Sequence, residues 1–243
     1  MTFARLFAAQ EATWPPAGTR SVGPWCIRDG RGGGKRVSAA TAEAPFSEPE
    51  IPDAEAAMAA LGQAPLFMIR PGDEALDSAL ARRGYATIDP VILLSAPVAT
   101  LAAETPAPVS AFTIWEPLRI MEELWEENGI GPARRAVMGR VTGPKTAVLG
   151  RQNDRAAGVA FAAIHEGLCF IHAVVVSTPH RRQGTAVNMM RAAAGWAQDE
   201  GAASLVVLVT EANAGARKLY ASLGFSNVGQ YHYRMKVPKR PEQ

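Results

Sequence analysis

The sequence predicts an α+β fold, a mixed and mostly antiparallel sheet flanked by helices, on three observations. Lys145 to Gly150, Ala156 to His165 and Leu168 to Val176 are apolar runs separated by the turns Arg151 to Arg155 and Glu166-Gly167, the pattern of successive antiparallel strands. After Phe170 to Val176, which no helical period explains and which Thr178-Pro179 closes, Val187, Met190, Ala194 and Ala197 fall at helical spacing until Gly201. A second buried strand, Leu205 to Val209, follows that helix.

At 243 residues with 48% hydrophobic content, the chain can bury the core of one large domain or two small ones. A net charge of +2 points to neither nucleic acid nor an anionic membrane surface, so any basic feature is local. Cys26 and Cys169 each sit among apolar neighbours and are expected as reduced thiols. His165, His172, His180 and His232 show no metal-ligand spacing with them, and no metal is expected. Apolar runs are too short to span a bilayer, and Leu6 to Ala9 is too short for a signal-peptide core. A cytoplasmic protein, monomer or homodimer, is the expectation.

Taken in order, residues 2 to 13 read as an amphipathic helix stopped by Trp14-Pro15-Pro16, because proline cannot donate to the next turn. Pro24 to Arg28 reads as a strand. The glycine-rich Asp29 to Arg36 lacks the Ser or Thr that a phosphate-cradling P-loop places after its lysine, and a strand from Val37 to Thr41 is expected beyond it, so a hairpin turn is favoured. Residues 42 to 52 read as a loop, Asp53 caps a helix to Leu61, and Leu66 to Ile69 is a strand. Asp73 opens a helix to Arg83, and Gly84-Tyr85 leads into a strand through Leu94. Ser95 to Ser110, with three prolines, reads as a linker. Phe112 to Trp115 is a strand, Glu116-Pro117 starts a helix to Glu127 with Leu118, Met121, Leu124 and Trp125 on one face, and Pro132 to Val141 is a second helix. Gln230 to Met235 is the terminal strand.

Two stretches repeat. Gly84-Tyr85 set against Gly224-Phe225 gives an offset of 224 − 84 = 140, which also places Leu66 to Ile69 on Val206 to Val209. At that offset Asn213 meets Asp73 and Tyr220 meets Leu80, so the first half reads as a copy that has lost its chemistry.

The basic loop His180 to Ala186 lies between a strand and a helix start. The first helical N–H groups have no intrahelical partner and carry the positive end of the dipole, which suits a diphosphate. Gly184 lets the backbone approach, Ala186 adds only a methyl, and Arg181 and Arg182 add charge. Arg181-x-x-Gly184-x-Ala186 resembles the Arg/Gln-x-x-Gly-x-Gly/Ala signature of the GNAT superfamily, the acyl-CoA-dependent N-acyltransferases. Asn213 to Phe225, with an Asn, a short helix carrying Tyr220 and a closing Gly-Phe, resembles the family's other motif.

The resemblance implies the GNAT fold with splayed central strands, and covers residues 112 to 236. It divides the chain into a degenerate GNAT-like domain at 1–105 and a catalytic N-acetyltransferase domain at 106–243. By resemblance, Val174, Val175 and Val176 would pair with the pantetheine arm of acetyl-CoA, and one N–H there would bind the thioester oxygen. Arg181, Arg182, Gln183, Gly184, Thr185 and Ala186 would hold the diphosphate, with Asn213 touching the cofactor or capping its helix. Tyr220 would be the general acid, protonated at neutral pH and able to donate to the leaving thiolate. Glu211 and His172 are the candidate bases, and a water chain is the alternative. Acetyl transfer to a primary amine of a small molecule or protein, by direct attack in a ternary complex, is the expected activity. The alternative is an acyl-CoA-binding sensor without turnover. No nucleic acid or membrane partner is expected.

Overall fold

A computed structural model describes residues 2–236. The elements in chain order are α1 (Phe3–Thr13), β1 (Gly18–Val22), β2 (Trp25–Asp29), β3 (Thr41–Ala42), α2 (Ile51–Ala59), β4 (Leu66–Ile69), α3 (Glu74–Arg82), β5 (Tyr85–Pro97), α4 (Val98–Ala102) and β6 (Ala111–Ile114). There follow α5 (Arg119–Glu127), α6 (Pro132–Arg140), β7 (Lys145–Gln152), β8 (Arg155–His165), β9 (Leu168–Val176), α7 (Thr185–Asp199), β10 (Ser204–Thr210), α8 (Ala214–Ser222) and β11 (Ser226–Lys236). The α+β class is observed: mixed sheet strands with helices between them.

Contacts group the chain into two compact units. The larger holds residues 2–15, 93–209 and 213–229, and the smaller holds 16–92, 210–212 and 230–236. Ser95 to Ser110 is only partly a linker: β5 runs on to Pro97 and α4 follows, with Val98 and Leu101 buried and the Val98 N–H bound to Ala203 O at 3.0 Å. Proline 97 misled because it stands at the helix N-cap, where a missing N–H costs nothing.

In the larger unit the strand order is β11-β5-β10-β9-β8-β7-β6, using β5 from residue 93 and β11 up to residue 229. β6, β7, β8 and β9 pair antiparallel in succession, and β10 pairs parallel with β9. Helix α7 lies against β6 to β9, and α1 and α5 against β8 and β9. Two glycines allow α7 its close approach. A Cβ at Gly150 would come within 2.6 Å of Met189 Sδ, and one at Gly158 within 2.8 Å of both Met189 Sδ and Val175 O.

In the smaller unit β4 pairs antiparallel with β11, from His232↔Ile69 to Met235↔Leu66, and β1-β2-β3 form a separate small sheet. Its core is Trp25, Ile27, Ile51, Met58, Phe67, Leu76, Leu80 and Tyr85.

Three boundaries differ from the expectation for local reasons. Val37 closes a short 3-10 turn, so that Thr41–Ala42 pair with β2 and Ala40 makes a single parallel bridge to Phe67. Helix α2 begins two residues before Asp53, because a capping box at Ser47 and Glu50 sets the chain direction upstream. Helix α5 begins at Arg119 with Leu118 as N-cap, so Glu116-Pro117 precede it. Strand β1 escaped notice because Gly18–Val22 is an exposed polar edge with no apolar alternation.

Candidate active site

Strand β9 is apolar because its first five residues are covered on both faces, and it keeps its expected bounds. It then departs from regularity. Val159 faces Val175 and Phe161 faces His172, so Ala160 alone spans both Ala173 and Val174: a β-bulge. Ala173 is left-handed there, with φ 51°, which costs a non-glycine residue about 1–2 kcal/mol. The Trp125 indole Nε1–H from α5 donates to the Ala173 carbonyl at 2.9 Å. Trp125 is itself fully buried, at 0% exposure.

On the other edge, β9 and β10 run parallel from Leu168↔Ser204 to Ile171↔Val207 and then stop pairing. The strands continue to Val176 and Thr210. The edge of β9 that carries Val174, Val175 and Val176 therefore has no partner strand in β10, and an extended molecule with amide groups can pair there as a strand would. The parting expected of the sheet is present.

The loop after β9 is tied back to it. Ser177 N–H and Oγ–H both bond Ala157 O, at 2.9 and 3.1 Å, and the Arg181 Nε–H bonds Val176 O at 3.0 Å. Gln183 Nε2–H bonds Pro179 O at 2.9 Å, and the buried Thr185 hydroxyl reaches His180 O at 3.4 Å. Arg182 and Gly184 are left-handed, at φ 61° and 85°. Gly184 is the N-cap of α7, and the first helical bond runs from Asn188 N–H to Gly184 O. The N–H groups of the first turn point out of the helix start, and a Cβ at Gly184 would meet nothing within 4 Å. Arg181, Arg182 and Gln183, all exposed, lead into this helix start, and half-buried Ala186 lies in its first turn. The donors, charge and room fit a diphosphate.

Tyr220 is 5% exposed on α8, its ring 5.4 Å from that of Phe225. Among the described residues its hydroxyl has no hydrogen-bond partner, and burial pushes its pKa up to about 12. Asn213 is the N-cap of α8, its Oδ1 accepting from Ala216 N–H at 3.0 Å. Both motif residues thus belong to one short helix that starts a few residues beyond the end of β10.

The candidate bases are placed differently. His172 is buried, its Nε2 3.1 Å from Thr13 Oγ1 and its ring 4.9 Å from Trp14 and 5.8 Å from Phe170. It sits in an aromatic cluster as a packed core histidine does. Glu211 is exposed in the turn after β10, and its backbone N–H bonds Pro90 O at 2.8 Å, grouping it with the smaller unit. The two cysteines are free thiols; Cys169 is fully buried and its pKa is raised by burial. Among the described residues no cluster of His, Cys, Asp or Glu is placed to hold a metal, and no helix is long and apolar enough to cross a membrane.

Sequence reasoning missed Ala173 and the part played by Trp125. A run of Ala and Val carries no trace of a bulge, but the indole of a buried Trp needs an acceptor, and that demand was readable.

This geometry has known counterparts. Residues 113–225 match the acetyltransferase (GNAT) family. That match spans 113 of the 243 residues, counted as 225 − 113 + 1.

The whole chain also has relatives. The uncharacterized N-acetyltransferase YobR of Bacillus subtilis (strain 168) is 27% identical over 235 residues, covering 93% of this chain and 95% of its own. A GCN5-related N-acetyltransferase from Kribbella flavida superposes with a TM-score of 0.68 at 22% identity, over 99% of this chain and 96% of that one. A functionally unknown conserved protein from Staphylococcus epidermidis does so with 0.71 at 10% identity, over 97% of each. The last two share the fold, and they share it beyond the matched residues 113–225. Acyl transfer is the chemistry of the family, and acyl-CoA and an acceptor are its substrates.

Proposed function

We propose that the protein is an acetyl-CoA-dependent N-acetyltransferase acting on a primary amine of a small molecule or a protein. The observation that carries this reading is the parting of β9 from β10 after Val207, beside a helix start with an open glycine. Val174 to Val176 would pair with the pantetheine amides, and Arg181 to Ala186 would hold the diphosphate. Asn213 already caps α8 and would add a contact to the same cosubstrate.

In a ternary complex the neutral amine attacks the thioester carbon. The C–N bond forms, the C–S bond breaks, and Tyr220 gives its proton to the departing sulfur. A phenol raised to about 12 stays protonated at any working pH, as a proton donor to a thiolate must. The surroundings of His172 favour packing, so a bound water chain would take the ammonium proton. We assign the N-terminal half a structural part, in keeping with Leu80 where the second half has Tyr220.

Calorimetric titration with acetyl-CoA and CoA, beside an Arg181→Glu/Gly184→Glu variant, tests the reading. One site per chain, lost in the variant, followed by thiol release with a panel of amines, supports it. Binding with no release for any amine would instead favour the sensor reading, and two sites would overturn the structural part given to the N-terminal half.

A further inference from the structure

Ala173 is a non-glycine residue held left-handed in the middle of a strand, and the side chain that holds its carbonyl comes from another element. A peptide unit is planar and trans, so the carbonyl of Ala173 and the N–H of Val174 lie in one plane and point in opposite directions. Fixing one aims the other. Trp125 grips that carbonyl at 2.9 Å and is itself immobilised, fully buried beside Met121 and Leu124 on the apolar face of α5.

We propose that Trp125 is a positioning residue: by anchoring Ala173 O it directs the Val174 N–H away from α5, to where the thioester oxygen gains charge. This rests on the N-acetyltransferase reading. It adds that the donor is preset by a side chain of α5. Preset donors stabilise developing charge without reorganising during the reaction. Packing alone would require only a large ring at position 125. The anchor requires the indole N–H.

Trp125→Phe separates the two, since it keeps a ring in the core and removes the donor. Three readouts on the full chain are needed. Amide hydrogen exchange at residues 172–176 is expected to quicken about tenfold, as one hydrogen bond's loss implies. Wild type is expected to bind acetyl-CoA more tightly than S-ethyl-CoA, the thioether without a carbonyl, and the variant is expected to lose that preference. Turnover is expected to fall about tenfold or more with KM for acetyl-CoA nearly unchanged.

Unchanged exchange in Trp125→Phe would overturn the anchor. Quickened exchange with unchanged preference and turnover would overturn its catalytic part. If wild-type protein neither prefers acetyl-CoA nor releases CoA, the transferase reading falls and the catalytic part with it, while the exchange still decides whether Trp125 holds the bulge.

Discussion

Helices α3 and α8 occupy the same place in two strand-helix-strand runs, and the 140-residue offset carries Glu74–Arg82 onto Ala214–Ser222 residue for residue. Each helix is followed by a left-handed glycine, Gly84 at φ 80° and Gly224 at φ 79°. Each buries the seventh residue of its helix, Leu80 at 0% and Tyr220 at 5% exposure. The strands before them differ: β4 pairs along its length with β11, whereas β10 leaves β9 after four pairs. The helix starts differ too. Asn213 caps α8 through its side chain, while Asp73 makes no cap bond and instead accepts from Arg70 N–H and Nε at 2.9 and 3.1 Å. The two runs thus share a buried seventh position and a left-handed glycine, and they differ in a phenol, a capping amide and an unpaired strand edge.

The sharpest break between the two runs is expected at the buried ring. Tyr220→Phe should lower kcat about 10²- to 10³-fold with acetyl-CoA affinity kept, as loss of a general acid does, read by thiol release and calorimetry. The same variant should change the pH profile of stability. The folded Tyr220 has its pKa raised to about 12 against about 10 when unfolded, so its contribution is complete below pH 10 and is lost as pH rises through 12. Denaturant melts at pH 9 and pH 11.5 should show that loss in the wild type and less of it in Tyr220→Phe.

At the matching site Leu80→Ala should cost about 2–5 kcal/mol of stability in urea, because it empties a fully buried position. Its acetyl-CoA binding should be unchanged; a loss of binding would give the first run a part in the cofactor site.

Gly84→Ala and Gly224→Ala should each cost about 1–2 kcal/mol, since both glycines are left-handed and a Cβ at either would meet nothing within 4 Å. Equal costs would confirm that the two turns are alike, and a twofold disparity would separate them. The smallest effect expected is that of Asn213→Ala, about 1 kcal/mol from the lost cap, seen as a lower melting temperature. A larger fall in acetyl-CoA affinity than in stability would assign Asn213 its second role.

What could be read in the sequence was whatever leaves a local mark. Leu168–Val176 stood out because a β-branched run covered on both faces has no helical period, and α7 because Gly184 and the apolar spacing bracket it. Asn213, Tyr220 and Gly224 were legible as a motif. The bulge was not, since an Ala among valines carries no sign of it, and the indole that bonds its carbonyl lies 48 residues away in sequence. Nor was α4, whose burial depends on elements distant in sequence, or the enclosure of His172, made by Thr13 and Trp14 from the first helix and the residue after it.

That first helix has a further consequence. Helix α1 packs on β8 and β9, and it belongs to a unit whose last residues are 213–229. During synthesis at about 5–20 residues per second, it waits roughly 10–30 s for β8 to be made. A helix made well before the strands that cover it thus stays uncovered for that time, with Leu6 and Ala9, both fully buried once folding is complete, open to solvent.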